Sequence, residues 1–140
     1  MKKLTAVVVL LFAACRGAPS GLMTGASSPE AAVTAFIGAA KAQDLQAMSA
    51  VWGTPKGSVR ETMPRAQIEQ RELILIRLLC QDEFRILRRE PSIDGRQFVQ
   101  VELMRRGGTL PRRFTTVMGP SNRWYVEDFA VDDAIQQFCR

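Results

Sequence analysis

After Gln81 the spacing of apolar residues in this chain changes from a helical period to alternation, and three turn signals divide the remaining residues into pieces of strand length. Strands are predicted over about 84–91, 96–106, 109–118 and 123–130, separated by Ile93-Asp94-Gly95, Gly107-Gly108 and Gly119-Pro120-Ser121. Gly95 suits the left-handed position of a three-residue hairpin. Strands joined by turns this short pair antiparallel with their neighbours, because a parallel return needs a crossover of about a dozen residues or more. The expected result is a four-stranded meander.

Upstream the pattern is helical. Ser27-Ser28-Pro29-Glu30 reads as a helix start, with a Ser cap, Pro at the first helical position and Glu30 placed to close a capping box with Ser27. Val33, Phe36, Ile37 and Ala40 then mark a helix over about 29–42. Asp44 caps a second, with Leu45, Met48, Val51 and Trp52 on one stripe, ending at Gly53. Thr54 to Ser58, holding Pro55 and Gly57, reads as a loop. A third helix runs from near Pro64 to near Cys80, with Ile68, Leu75, Ile76 and Leu79 inward, and a short closing helix spans Asp132 to Cys139, with Ile135 and Phe138 inward. Helices followed by an antiparallel meander give an α+β fold, with the helices packed on one face of a curved four-stranded sheet. A chain of 140 residues has room for one such core, expected over 29–140, and 46% hydrophobic against 24% charged residues excludes a disordered chain.

The opening Ser-Pro-Glu-Ala-Ala-Val-x-x-Phe, the break at Gln43-Asp44-Leu45, the meander and the closing Arg123-Trp124-Tyr125-Val126-Glu127-Asp128-Phe129 resemble the nuclear transport factor 2-like superfamily. The resemblance covers about 29–140 and implies a cone-shaped, cystatin-like domain. It bears on fold more than on function, since one fold hosts many activities.

The N-terminus carries an address. Met1-Lys2-Lys3 is a positive start, Leu4 to Ala14 are eleven nearly uniform apolar or small residues, and Cys15 comes next. The run is too short for a permanent span of about 20 residues and reads as a signal peptide over 1–14. Leu11-Phe12-Ala13-Ala14-Cys15 resembles the lipobox of bacterial lipoproteins, with two small residues before the cysteine and Phe12 where Leu is usual. The resemblance implies diacylglyceryl transfer to Cys15 and membrane attachment through that lipid; the alternative is an ordinary signal peptide cut near Ala14. With Arg16 rather than Asp after the cysteine, sorting in double-membrane bacteria implies the outer membrane, facing the periplasm, provided the organism has one. Residues 15–28 are then the lipidated cysteine and a flexible tether, reaching about 20 Å by random-coil scaling. Lipidation of Cys15 leaves Cys80 and Cys139 as an even pair in an oxidising compartment, where a disulfide is expected; two buried thiols are the alternative.

If Gly107-Gly108 is a two-residue turn, Val101 faces Phe114 and Glu102 faces Arg113; a three-residue turn at Gly119-Pro120-Ser121 then places Val126 beside Phe114 and Glu127 beside Arg113. Val99, Val101, Leu103, Phe114, Thr116, Trp124 and Val126 form the inner face. Gln100, Glu102, Arg113, Thr115 and Glu127 form the outer one, and the lone tyrosine, Tyr125, also points outward. The same parity sets Arg112 and Asp128 opposite one another on the inner face, either as a structural ion pair or as a site whose carboxylate abstracts a proton, as in ketosteroid isomerases of the resembled superfamily. Val101, Arg112, Phe114, Trp124, Val126 and Asp128 are therefore the candidate cavity.

The chain has no histidine, which removes the commonest general base, the nucleophile pairs built on it and most zinc sites. No phosphate loop or dinucleotide fingerprint occurs, and no cofactor is implied. The formal charge of +5 falls when Lys2 and Lys3 leave with the signal peptide, giving 17 basic against 14 acidic residues, and these are interspersed. Nucleic-acid binding is not expected. The arginine runs (Arg85, Arg88, Arg89; Arg105, Arg106; Arg112, Arg113) put only one residue of each doublet on a sheet face and read as solvated surface rather than as a lipid headgroup site. The expected role is a membrane-tethered, non-enzymatic envelope lipoprotein that binds a small apolar ligand or an envelope protein. The alternative is a carboxylate-based isomerase or dehydratase using Asp128.

Overall fold

Pro29, whose ring fixes φ and whose missing N–H costs nothing at a first helical position, starts helix α1 (Pro29–Ala42). In this computed structural model, which describes residues 23–140, the cap is Ser28, whose Oγ accepts from the Ala31 amide at 3.1 Å. Glu30 closes no capping box; its carboxylate meets Arg89 at 3.4 Å. Asp44 caps α2 (Leu45–Val51) through the Ala47 amide at 2.9 Å, as its side chain predicts. The stretch read as a loop holds most of a short hairpin, β1 (Gly53–Thr54) with β2 (Gly57–Ser58), and the residues after it, given no element by the sequence, form one turn of helix, α3 (Val59–Thr62). Helix α4 (Arg65–Leu78) begins after Pro64.

The sheet is β3 (Glu83–Pro91), β4 (Gln97–Arg105), β5 (Gly108–Met118) and β6 (Trp124–Phe129), antiparallel and in sequence order, with α5 (Asp133–Phe138) after it. The α+β order and the strand positions match the expectation from the alternating pattern. Helix α1 lies across all four strands and buries Val33, Phe36 and Ile37 against Val99, Val101, Leu103 and Phe114. The ring of Phe36 meets those of Phe114 and Phe129 edge-on, with centroids 6.5 and 6.3 Å away, while Phe114 and Phe129 stack at 5.1 Å.

Two features of register depart from the sequence reading. The β4–β5 turn is Arg106-Gly107, not Gly107-Gly108: both residues have positive φ (50° and 79°), as a two-residue hairpin matched to strand twist requires. Val99 therefore faces Phe114, and Val101 faces Arg112. The displacement is even, so every side chain keeps its expected face. In β6 the displacement is even as far as Val126 and odd beyond it. Thr116 pairs with Val126 but Thr115 with Asp128, leaving Glu127 as a bulge residue, and beyond it Phe129 takes the inner position opposite Phe114. The expected ladder of Glu102, Arg113 and Glu127 is likewise replaced: Glu102 pairs with Arg85 at 2.8 Å, Arg113 lies over the Phe98 ring at 4.3 Å, and Glu127 pairs with Arg96 at 2.7 Å.

Cys80 and Cys139 form the expected disulfide, fastening α5 to the segment between α4 and β3. The expected signal peptide, Cys15 and most of the expected tether lie outside the described residues. Residues expected to end a flexible tether are instead held to the domain: Ala26 bridges Trp124 through two backbone hydrogen bonds of 2.8 Å, and Gly25 donates to the Ala50 carbonyl at 2.7 Å. Among the described residues no helix is long and apolar enough to cross a membrane.

Candidate functional site

The residues predicted to line a cavity separate into three groups. Val101, Phe114 and Val126 are buried to within 1% and belong to the packed interior between α1 and the sheet; Trp124 is half-buried against the same core. Arg112 also points inward, and its guanidinium forms a bidentate pair with Asp132, 2.6 and 3.2 Å, rather than with Asp128. Asp132 reaches it because its other task, capping α5 through the Ile135 amide at 3.1 Å, fixes its side chain beside β5. The Ile135 amide above all, helped by Arg112, holds the Asp132 carboxyl below the usual carboxylate range. Asp128, put on the opposite face by the bulge, is exposed.

The interior is nonetheless open at one edge. Between α1, α4 and the end of β6 lies a cleft of about 220 Å³, floored by Phe36, Trp52, Leu75 and Phe129, with Asp128 and Arg71 at its polar rim. Trp52 reaches this place because, beyond α2, its backbone bridges Val126 on the free edge of β6.

A second pocket, not anticipated, lies between α2, α3 and α4. It measures about 180 Å³ and is lined by Gln46, Ser49, Arg60, Met63, Ile68 and Glu72, with the Arg65–Glu69 pair (2.7 Å) beside it. Arg60 is positioned by Ser58, whose Oγ caps α3 by accepting from the Arg60 amide at 3.2 Å and donates to the Ser49 carbonyl at 2.7 Å. The guanidinium then donates through Nε to Ser49 Oγ at 2.8 Å and through Nη2 to the Gln46 carbonyl, and makes no ion pair among the described residues. Glu72 is 1% exposed, and its Oε1 has no hydrogen-bond partner. Burial pushes its carboxyl up to about 7, with Arg60 pulling against it and Glu69 and Asp44 adding to it. A signal for Glu72 exists in the sequence, since Ile68, Glu72, Leu75 and Leu79 share one helical stripe.

Among the described residues no three His, Cys, Asp or Glu side chains are grouped as a metal site. Set against known protein families, characterised proteins and solved structures, the chain matches none of them.

Proposed function

We propose that this protein is an exported lipoprotein, anchored through acylated Cys15, whose cystatin-like domain is a non-enzymatic binding module of the nuclear transport factor 2-like kind. The outer membrane, where the organism has one, is its site, with the domain in the periplasm. The lipobox-like Leu11-Phe12-Ala13-Ala14-Cys15 and the disulfide between Cys80 and Cys139, a bond suited to an oxidising compartment, support the export half of this reading.

The cleft floored by Phe36, Trp52, Leu75 and Phe129 carries the binding half. Its volume of about 220 Å³ exceeds the ~150 Å³ of a cavity that accepts benzene but falls below the ~300 Å³ where drug-sized sites begin. The fitting ligand is an apolar molecule of one ring or a short branched chain. The exposure of Asp128 speaks against its use as a proton-abstracting base, and binding is the better account of a rim that is polar over an apolar floor.

Titration of a soluble Cys15→Ser form with toluene tests the binding half. Saturable changes in Trp52 fluorescence and in resonances around Phe36, Leu75 and Phe129, with Trp124 unaffected, are the expected result. Their absence moves the reading to an envelope protein as the partner.

A further inference from the structure

We propose that the pocket between α2, α3 and α4 binds a short-chain monocarboxylate, with Arg60 as its anchor and the Glu72 carboxyl as a hydrogen-bond donor to it. This pocket is separate from the cleft beside β6, so the proposal stands whether or not that cleft takes an apolar ligand.

The anchor role rests on the bonding of Arg60. Two of its donors are committed to α2, which fixes the guanidinium plane at the pocket wall, and Nη1 makes no hydrogen bond among the described residues. Arg96 and Arg112 each meet a carboxylate in bidentate fashion, whereas Arg60 meets none. A planar donor held in place without an anion is suited to a carboxylate.

The pocket accepts an anion once Glu72 is protonated. The charged groups facing the pocket are Arg60 from α3, the mutually paired Arg65 and Glu69 from α4, Glu72, and Asp44 at the start of α2. With Glu72 protonated, Arg60 is the lining charge that has no ion-pair partner among the described residues. A carboxylate entering beside an ionised Glu72 would face like charge, so the anion is accepted with Glu72 protonated, and its carboxyl then has an acceptor for its proton. Size sets the chain length. At about 30 Å³ for each water-sized group, 180 Å³ holds roughly six heavy atoms, the size of propionate or butyrate, whose methylenes rest on Met63 and Ile68.

The test is calorimetric titration of the full-length, detergent-solubilised protein with propionate at pH 7.5, in two phosphate-free buffers of different ionisation enthalpy, with methylammonium and inorganic phosphate in parallel. The expected result is saturable 1:1 propionate binding with proton uptake, weakened at least about tenfold in Arg60→Gln, as for loss of hydrogen bonds to a charged group. Because Arg60 also ties α3 to α2, Glu72→Gln is the second arm: its amide still donates, so propionate binds but proton uptake disappears. No saturable propionate binding by the wild-type protein, a preference for methylammonium or phosphate, affinity unchanged in a folded Arg60→Gln variant, or undiminished proton uptake in Glu72→Gln overturns the proposal.

Discussion

The hydroxyl of Tyr125 lies 2.9 Å from Thr24 Oγ1, 101 residues earlier in the chain, and so fastens the segment before α1 to the outer face of β6. Tyr125 does point away from the α1 side of the sheet, as alternation predicts, but it is 2% exposed rather than solvated. Gly25, Gly53 and Gly119 surround its ring; a Cβ on any of them would come within 2.7 to 2.8 Å of a ring carbon.

That enclosure predicts the cost of adding a single methyl group. Gly53→Ala, whose Cβ would meet the Gly57 carbonyl oxygen as well as Tyr125, and Gly119→Ala, whose Cβ would meet Tyr125, should each lower unfolding free energy by about 1–3 kcal/mol through overpacking. Gly38→Ala, at an exposed helical position with no atom within 4 Å of the new Cβ, should instead stabilise by up to about 1 kcal/mol. Urea denaturation of the three variants measures both signs.

Glu72 predicts a pH dependence. Its folded pKa of about 7 lies above the unfolded value near 4.3, so the folded state holds the proton longer, and stability falls as pH rises between those values before levelling. Glu72→Gln removes the penalty. Its stability relative to wild type should rise by up to about 3 kcal/mol from pH 4.5 to pH 7.5. Denaturation midpoints across that range check it; a constant difference contradicts the assigned burial.

Asp132 acts in the opposite sense. A folded pKa below the unfolded value gives stability that is present above about pH 4 and lost as pH falls through the folded value. Asp132→Asn should therefore lower the melting temperature at pH 7, with the gap to wild type closing on acidification. Thermal unfolding from pH 7 to pH 2 is the measurement.

The parts of this fold that were legible in the sequence are those set by local chemistry. Pro29 and Asp44 mark helix starts, and the glycine-containing turns delimit four strands to within two residues. The face of each residue in β5 survived a misplaced turn, because a shift from Gly107-Gly108 to Arg106-Gly107 is even in register. The bulge at Glu127 was not legible: nothing in Val126-Glu127-Asp128-Phe129 distinguishes alternation from one extra residue, and only packing of Phe129 on Phe36 and Phe114 decides it. That residue moved Asp128 out of the expected cavity and left Arg112 to Asp132. The pocket around Arg60 was hidden because α3 has four residues, too few to show a period, and because an acid on the buried stripe of α4 reads as an interruption.

The disulfide closes a loop between residues 59 apart, for which chain entropy gives a stabilisation of about 4 kcal/mol. Replacing both Cys80 and Cys139 with Ser should cost about that much by chemical denaturation. Adding reductant should weaken the wild-type protein and leave the double variant unchanged.

Export and lipid anchoring are tested most directly by intact mass spectrometry of the protein purified from host membranes, with and without reduction. The predicted species begins at Cys15, carries added acyl mass, and gains two hydrogens on reduction as the Cys80–Cys139 bridge opens. An unacylated species recovered in the soluble fraction would contradict a lipid anchor at Cys15.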